Sequence, residues 1–127
     1  MLPQEIYKAT TAEFVAMTLF VLCGCGTAVG SQMLQWSSLE FGGFNSTDGH
    51  MSISLAFGTA IAVLAYTIAP LSGGHINPAV TMSFVIQRKM TLVEACFYWL
   101  AQLLGAIFGA AILWGCTYNP EYVYIVM

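Results

Sequence analysis

The sequence predicts an all-α integral membrane protein with three transmembrane helices and one re-entrant half-helix. Charge supplies the first observation. Three basic and six acidic residues in 127, with 58% hydrophobic residues, leave too little polar surface for a globule in water, where about a quarter of residues are usually charged. The second is their spacing: uncharged runs cover 14–39, 49–87 and 95–120, each longer than the roughly 18 residues that mark a membrane span. The third is that the middle run is too long for one span and is broken by Ser72-Gly73-Gly74 and by Asn77-Pro78. A net charge of −3 excludes nucleic-acid binding, and the hydrophobicity excludes disorder. No run alternates apolar and polar residues for long enough to form a membrane strand.

Span one is expected over about 10–33. It is not expected to be a cleaved signal, because the apolar run is too long, its basic leader is weak and no small-x-small site followed by a soluble domain comes after it. Its start admits two readings. Thr10-Thr11-Ala12-Glu13 could be a capping box, which would leave Glu13 at the interface. Pro3 followed by Gln4 and Glu5 suits an earlier start, which would carry Glu13 into the bilayer and require a partner, with His75 the first candidate.

Residues 31–50 are polar and Gly/Ser-rich and read as a loop. Span two is expected over about 50–70, closed by Pro70. Span three is expected over about 91–116, opened by a Thr91-to-Glu94 capping box, with Gln102 as a second polar brace. Gly26 and Gly30, like Gly105 and Gly109, are four apart, a spacing that lets helix backbones approach in a membrane.

With three spans, Lys8, Arg88 and Lys89 fall on one face, which the positive-inside rule places in the cytoplasm with the N-terminus. Asn45-Ser46-Thr47 then forms a glycosylation acceptor on the outer loop. Trp36, Tyr118, Tyr122 and Tyr124 suit the outer interface and Tyr7 the inner one. Cys23, Cys25, Cys96 and Cys116 read as packing residues. The two-residue spacing of Cys23 and Cys25 puts them on nearly opposite helix faces, so no metal or other cofactor is implied.

The segment between spans two and three carries the chemistry. Asn77 is a favoured helix N-cap, and proline is favoured at the first helical position. From Pro78 to Gln87 a helix would rise about 15 Å, half the hydrocarbon thickness. Spans two and three fix both ends of 71–87 on the cytoplasmic side, so the segment must dip to the midplane and climb back. Irregular backbone at that depth is tolerated only when buried in protein or lining water. The carbonyls of Gly73, Gly74, His75 and Ile76 become a ladder of acceptors leading to the positive end of the half-helix. Such a path favours small uncharged hydrogen-bonding solutes and repels cations.

SGGHINPAVT at 72–81 resembles the first Asn-Pro-Ala loop of the aquaporins and glycerol facilitators, the major intrinsic protein family. The resemblance extends to AEFVAMTLFVLCGCG at 12–26, SLAFGTAIAVLA at 54–65 and AQLLGAIFGA at 101–110, in family order. It implies the first half of an inverted-repeat bundle over 1–127, whose second Asn-Pro-Ala loop and filter arginine belong to another half. It implies that Asn77, Pro78 and Ala79 form half of a central constriction. It further implies that Phe57 is the aromatic of an outer filter, with Ile61 a turn deeper on the same path, and that Glu13 braces the loop. Phenylalanine at 57 resembles the water-selective members more than the glycerol facilitators. Arg88-Lys89 before Met90-Thr91-Leu92 resembles the plant plasma-membrane type.

The expected function is passive conduction of water or small neutral solutes across the plasma membrane, excluding ions and protons; that exclusion by half-helix dipoles is the account known for aquaporins. The expected partners are the bilayer, the solute and, by resemblance, three further copies in a tetramer. One alternative is a non-conducting half-channel that inserts and associates with other subunits. Another is a proton-coupled transporter using Glu13 and His75, which lacks a second carboxylate for a relay. No nucleophile-base set suggests an enzyme.

Overall fold

The computed structural model describes residues 3–41 and 46–117. Four helices account for nearly all of them: α1 (Pro3–Phe41), α2 (Ser46–Ser72), α3 (Pro78–Ile86) and α4 (Leu92–Thr117). Three contain stretches long and apolar enough to cross a bilayer, Glu5–Leu34, Gly49–Ser72 and Leu92–Thr117. The chain is an all-helical, multi-pass integral membrane protein, and α3 is the short element between its second and third spans.

Four boundaries differ from the expected spans, each for a local reason. Helix α1 starts at Pro3, the earlier of the two expected starts. Thr10 is therefore interior, and its hydroxyl donates back to the Ile6 carbonyl at 2.8 Å instead of capping. The same helix continues to Phe41 through much of the expected 31–50 loop, and α2 begins at Ser46. Residues 31–41 contain neither glycine nor proline, and Met33, Leu34, Trp36 and Leu39 keep an apolar helical spacing. Finally, Pro70 lies inside α2, which runs on to Ser72. A proline so near a helix end removes only one hydrogen bond, and Gly73 N–H still reaches the Ala69 carbonyl at 3.0 Å. Asn45, Tyr118, Tyr122 and Tyr124 lie outside the described residues, as does the Trp36 side chain.

Helix α1 is the hub. It packs against both α2 and α4, whereas α3 contacts α4 alone among the described helices. A Cβ on Gly105 would stand 2.5 Å from the Phe14 carbonyl oxygen, and one on Gly109 would stand 2.7 Å from that of Thr18. Glycine at both positions is what permits this approach of α1 and α4. Thr18 exploits it, donating to the Gly105 carbonyl at 3.1 Å. The other glycine pair does not behave alike: a Cβ on Gly26 would make only ordinary contact with Leu113, and one on Gly30 would meet no neighbouring element within 4 Å among the described residues. Cys23, Cys96 and Cys116 are exposed, so only Cys25 is partly covered by packing.

Ala16, Met17, Ile68 and Ile76 form the small buried apolar core. Most other large apolar side chains of α2 and α4 point outward, among them Leu55, Val63, Leu103 and Ile107. In a bilayer such faces meet lipid or other helices at little cost.

Candidate functional site

The re-entrant segment is built around one buried carboxylate. Glu13 is fully buried in α1. Its Oε1 accepts from the Ser72 hydroxyl at 2.7 Å and from the His75 N–H at 2.9 Å. Its Oε2 accepts from the Ile76 N–H at 2.7 Å and from Gln102 Nε2 at 2.9 Å. Four donors on two oxygens replace the hydration that a carboxylate loses inside a membrane. The expected ring partner is corrected here: His75 meets Glu13 through its backbone N–H, while its Nδ1 shares a hydrogen bond with Thr81 Oγ1 at 3.0 Å. The His75 ring is buried and stacks on Phe84 at 4.5 Å.

These bonds hold the loop in a conformation that it would not choose alone. Gly73 (φ 88), Gly74 (φ 70) and Ile76 (φ 44) all lie in the left-handed region. Gly74 suits that geometry and also a close approach, because a Cβ there would fall 2.5 Å from the Ala65 carbonyl oxygen. Ile76 does not suit it, being β-branched. Its side chain is only 2% exposed and its N–H is fixed by Glu13, and together these contacts hold the strained backbone.

Helix α3 begins as its sequence predicts. Asn77 is the N-cap (φ −160, ψ 126), its Oδ1 accepts from the Ala79 N–H at 2.8 Å, and Pro78 follows. Asn77 and Ala79 are exposed, and the Asn77 amide nitrogen has no acceptor among the described residues. Nor does a donor among them reach the carbonyls of Gly73, Gly74, His75 or Ile76. Gly73 is exposed and Gly74 half-buried, so the free backbone and the helix cap share one segment.

Gln102 is buried, and its Nε2 bridges Glu13 and Thr81 Oγ1, the latter at 3.1 Å. Its Oε1 is buried without a partner among the described residues. That fixes the amide orientation, since a flipped Gln102 would set oxygen against the carboxylate.

Phe57 and Ile61 are half-buried between α2 and α1. The Phe57 ring lies edge-on to Phe20 at 5.4 Å and occupies the space that a Cβ on Gly24 would need. Ile61 packs against the core that contains Ile76.

Four residues that complete the site were not singled out from the sequence. Ser72 and Thr81 carry short hydroxyls whose partners are remote in sequence. Tyr98 donates to the Ser72 carbonyl at 2.9 Å, and Trp99 Nε1 donates to the Pro78 carbonyl at 3.0 Å. Both aromatics therefore do more than pack, since each holds a backbone carbonyl of the loop. The signal available was their polar tips well inside an apolar span.

Thr91 and Glu94 form the expected capping box at the start of α4. Thr91 N–H donates to Glu94 Oε2 at 3.0 Å, and Glu94 N–H donates to Thr91 Oγ1 at 3.3 Å. Among the described residues no cluster of His, Cys, Asp or Glu could hold a metal ion.

The family model for major intrinsic proteins matches residues 2–126. The chain belongs to the major intrinsic protein family. It is 44% identical to Aquaporin-5 of Ovis aries over 115 residues, 90% of this chain and 39% of that protein. It is likewise 44% identical to human Aquaporin-5 over 108 residues, 85% of this chain and 36% of the relative. With Aquaporin-4 of Rattus norvegicus the identity is 44% over 115 residues, or 90% and 33%. The chain thus spans little more than a third of the length of the relatives it matches.

Proposed function

We propose that this major intrinsic protein chain forms the first half of a passive transmembrane channel for water and small neutral solutes, one that excludes ions and protons. The observation that carries the proposal is the junction of Asn77 with the Gly73–Ile76 backbone. Among the described residues, an amide donor without an acceptor stands at the positive end of a half-helix, beside carbonyls without a donor. A water molecule can accept from the first and donate to the second, whereas a cation meets the helix dipole. The relatives named Aquaporin-5 and Aquaporin-4 agree with this choice of solute. Asn77, Pro78 and Ala79 would line the constriction, and Phe57 and Ile61 would line the wider part of the path. Glu13 and Gln102 would support the loop and stay outside the path. The four occupied acceptor positions on Glu13 leave it no room to relay protons. We place the N-terminus and residues 87–91 in the cytoplasm, the protein in the plasma membrane, and the channel in a tetramer.

Cysteine accessibility tests the path. With the native cysteines replaced, single cysteines at 73 and 77 should react with small aqueous thiol reagents in a conducting assembly. A cysteine at Ile76, whose side chain is 2% exposed, should be protected. His75 is also buried, so its position should react slowly. Protection at both 73 and 77 would remove the aqueous path from this segment.

Phe57→Ala in a complete pore should raise glycerol flux several-fold while water flux persists, because the ring fills space beside Gly24. Swelling of proteoliposomes in water and glycerol gradients reads both. Unchanged glycerol flux in a folded variant would place Phe57 outside the filter.

A further inference from the structure

We infer that Trp99 is a positioning residue for the half-helix that presents Asn77, acting through the hydrogen bond from its indole N–H to the Pro78 carbonyl. The inference rests on the pore reading of Asn77 given above. Trp99 is half-buried in α4, about 10 Å along the helix from its start at Leu92. Tryptophan in membrane proteins usually sits at the interface, where its N–H can reach water. Deeper in the bilayer an unpaired N–H is costly, and here the donor is satisfied by Pro78 at 3.0 Å.

What that bond can do follows from how little else holds α3. The helix has only 9 residues, too few to persist alone, and among the described helices it contacts α4 only. Two side-chain bonds from α4 reach it: Gln102 to Thr81 at 3.1 Å and Trp99 to Pro78. The His75 ring also holds the helix, at Thr81 and Phe84, but those contacts and the Gln102 bond all lie at or beyond Thr81, so without Trp99 the first turn could swing about them. Trp99 supplies the attachment at the first residue of the helix, next to the cap itself. Its neighbour Tyr98 donates to the Ser72 carbonyl, so adjacent side chains of α4 hold the carbonyls at the two ends of the 72–78 loop. Between those ends, Glu13 holds the loop by its N–H groups. The direction of the Asn77 amide is therefore set partly by an indole that does not touch it.

Replacement of Trp99 by 3-benzothienylalanine tests this, because sulfur takes the place of the N–H with the ring shape retained; Trp99→Phe serves as a second variant. The full chain in lipid nanodiscs is measured by amide hydrogen exchange and by nuclear magnetic resonance of the Asn77 carboxamide. Exchange at the Ala79 and Thr81 amides, which both donate to Asn77, should be about tenfold faster in the isostere, as expected for one lost hydrogen bond. The Asn77 side-chain signal should shift, while protection in α1 and the rest of α4 is unchanged. Unaltered Asn77 and Ala79 signals in the isostere would overturn the inference. So would loss of protection throughout the chain, or a Trp99 indole N–H that exchanges as fast as that of an exposed tryptophan. Conduction is not read, so a folded complex of the chain with a second half that fails to conduct overturns the pore reading and leaves this test standing.

Discussion

Glu13→Ala is expected to destabilise the chain by about 3–5 kcal/mol and to release the 73–77 loop. The substitution leaves the Ser72 hydroxyl, the His75 and Ile76 N–H groups and the Gln102 amide without their common acceptor. An orphaned buried donor costs about 1–3 kcal/mol, and partial relaxation keeps the total below the sum of four. Ile76 would also lose the bond that holds it at φ 44. Glu13→Gln preserves the shape but turns one acceptor into a donor facing donors, so it should cost about 2–3 kcal/mol. Denaturant unfolding in micelles measures the loss, and limited proteolysis between 73 and 77 locates it. A Glu13→Gln variant within about 0.5 kcal/mol of the parent, with the loop still protected, would show that the carboxylate does not organise the site.

Gly105→Ala is expected to cost about 2–3 kcal/mol by forcing α1 and α4 apart. The added methyl would meet the Phe14 carbonyl oxygen at 2.5 Å and Met17 Cβ at 3.2 Å, and backbone cannot step aside as a side-chain tip can. Thr18 would lose its bond to the Gly105 carbonyl as the helices part. Gly30→Ala provides the contrast. Among the described residues no neighbouring element lies within 4 Å of a Cβ there, so the gain in helix propensity, up to about 1 kcal/mol, should dominate. Opposite signs for the two variants in the same unfolding assay are the expected result. Equal effects would mean that the close approach at Gly105 does not limit stability.

Much of this was legible because some signals are local. The Asn77 cap and the proline after it need only adjacent residues, and the Thr91-to-Glu94 box needs only a three-residue spacing. The early start of α1 was one of two readings, and burial of Glu13 selects it. Other features depended on distant partners. The donors to Glu13 come from residues 59 to 89 positions away, which no periodicity announces. Gly105 and Gly30 look alike in sequence, but only the helix crossing decides that a Cβ on the first would meet backbone and one on the second no other described element. Polarity misled at 31–41, where the apolar spacing carried the helix on through serines and glutamines.

In our proposal these 127 residues supply one half of a water path that an opposed half-helix must complete. Helix α3 has 9 residues, about 14 Å of rise, and so reaches only the midplane. Parallel copies would present the same half twice, and the basic residues Lys8, Arg88 and Lys89 on one face disfavour opposed insertion. Stopped-flow light scattering on proteoliposomes is the direct measurement, made with the purified chain alone and with the remaining length of Aquaporin-5 of Ovis aries co-reconstituted. The expected result is background water flux for the chain alone, and fast flux with a low activation energy and no proton leak for the folded pair. Fast, low-activation-energy flux from the chain alone, or none from a folded complex of the two, would contradict it.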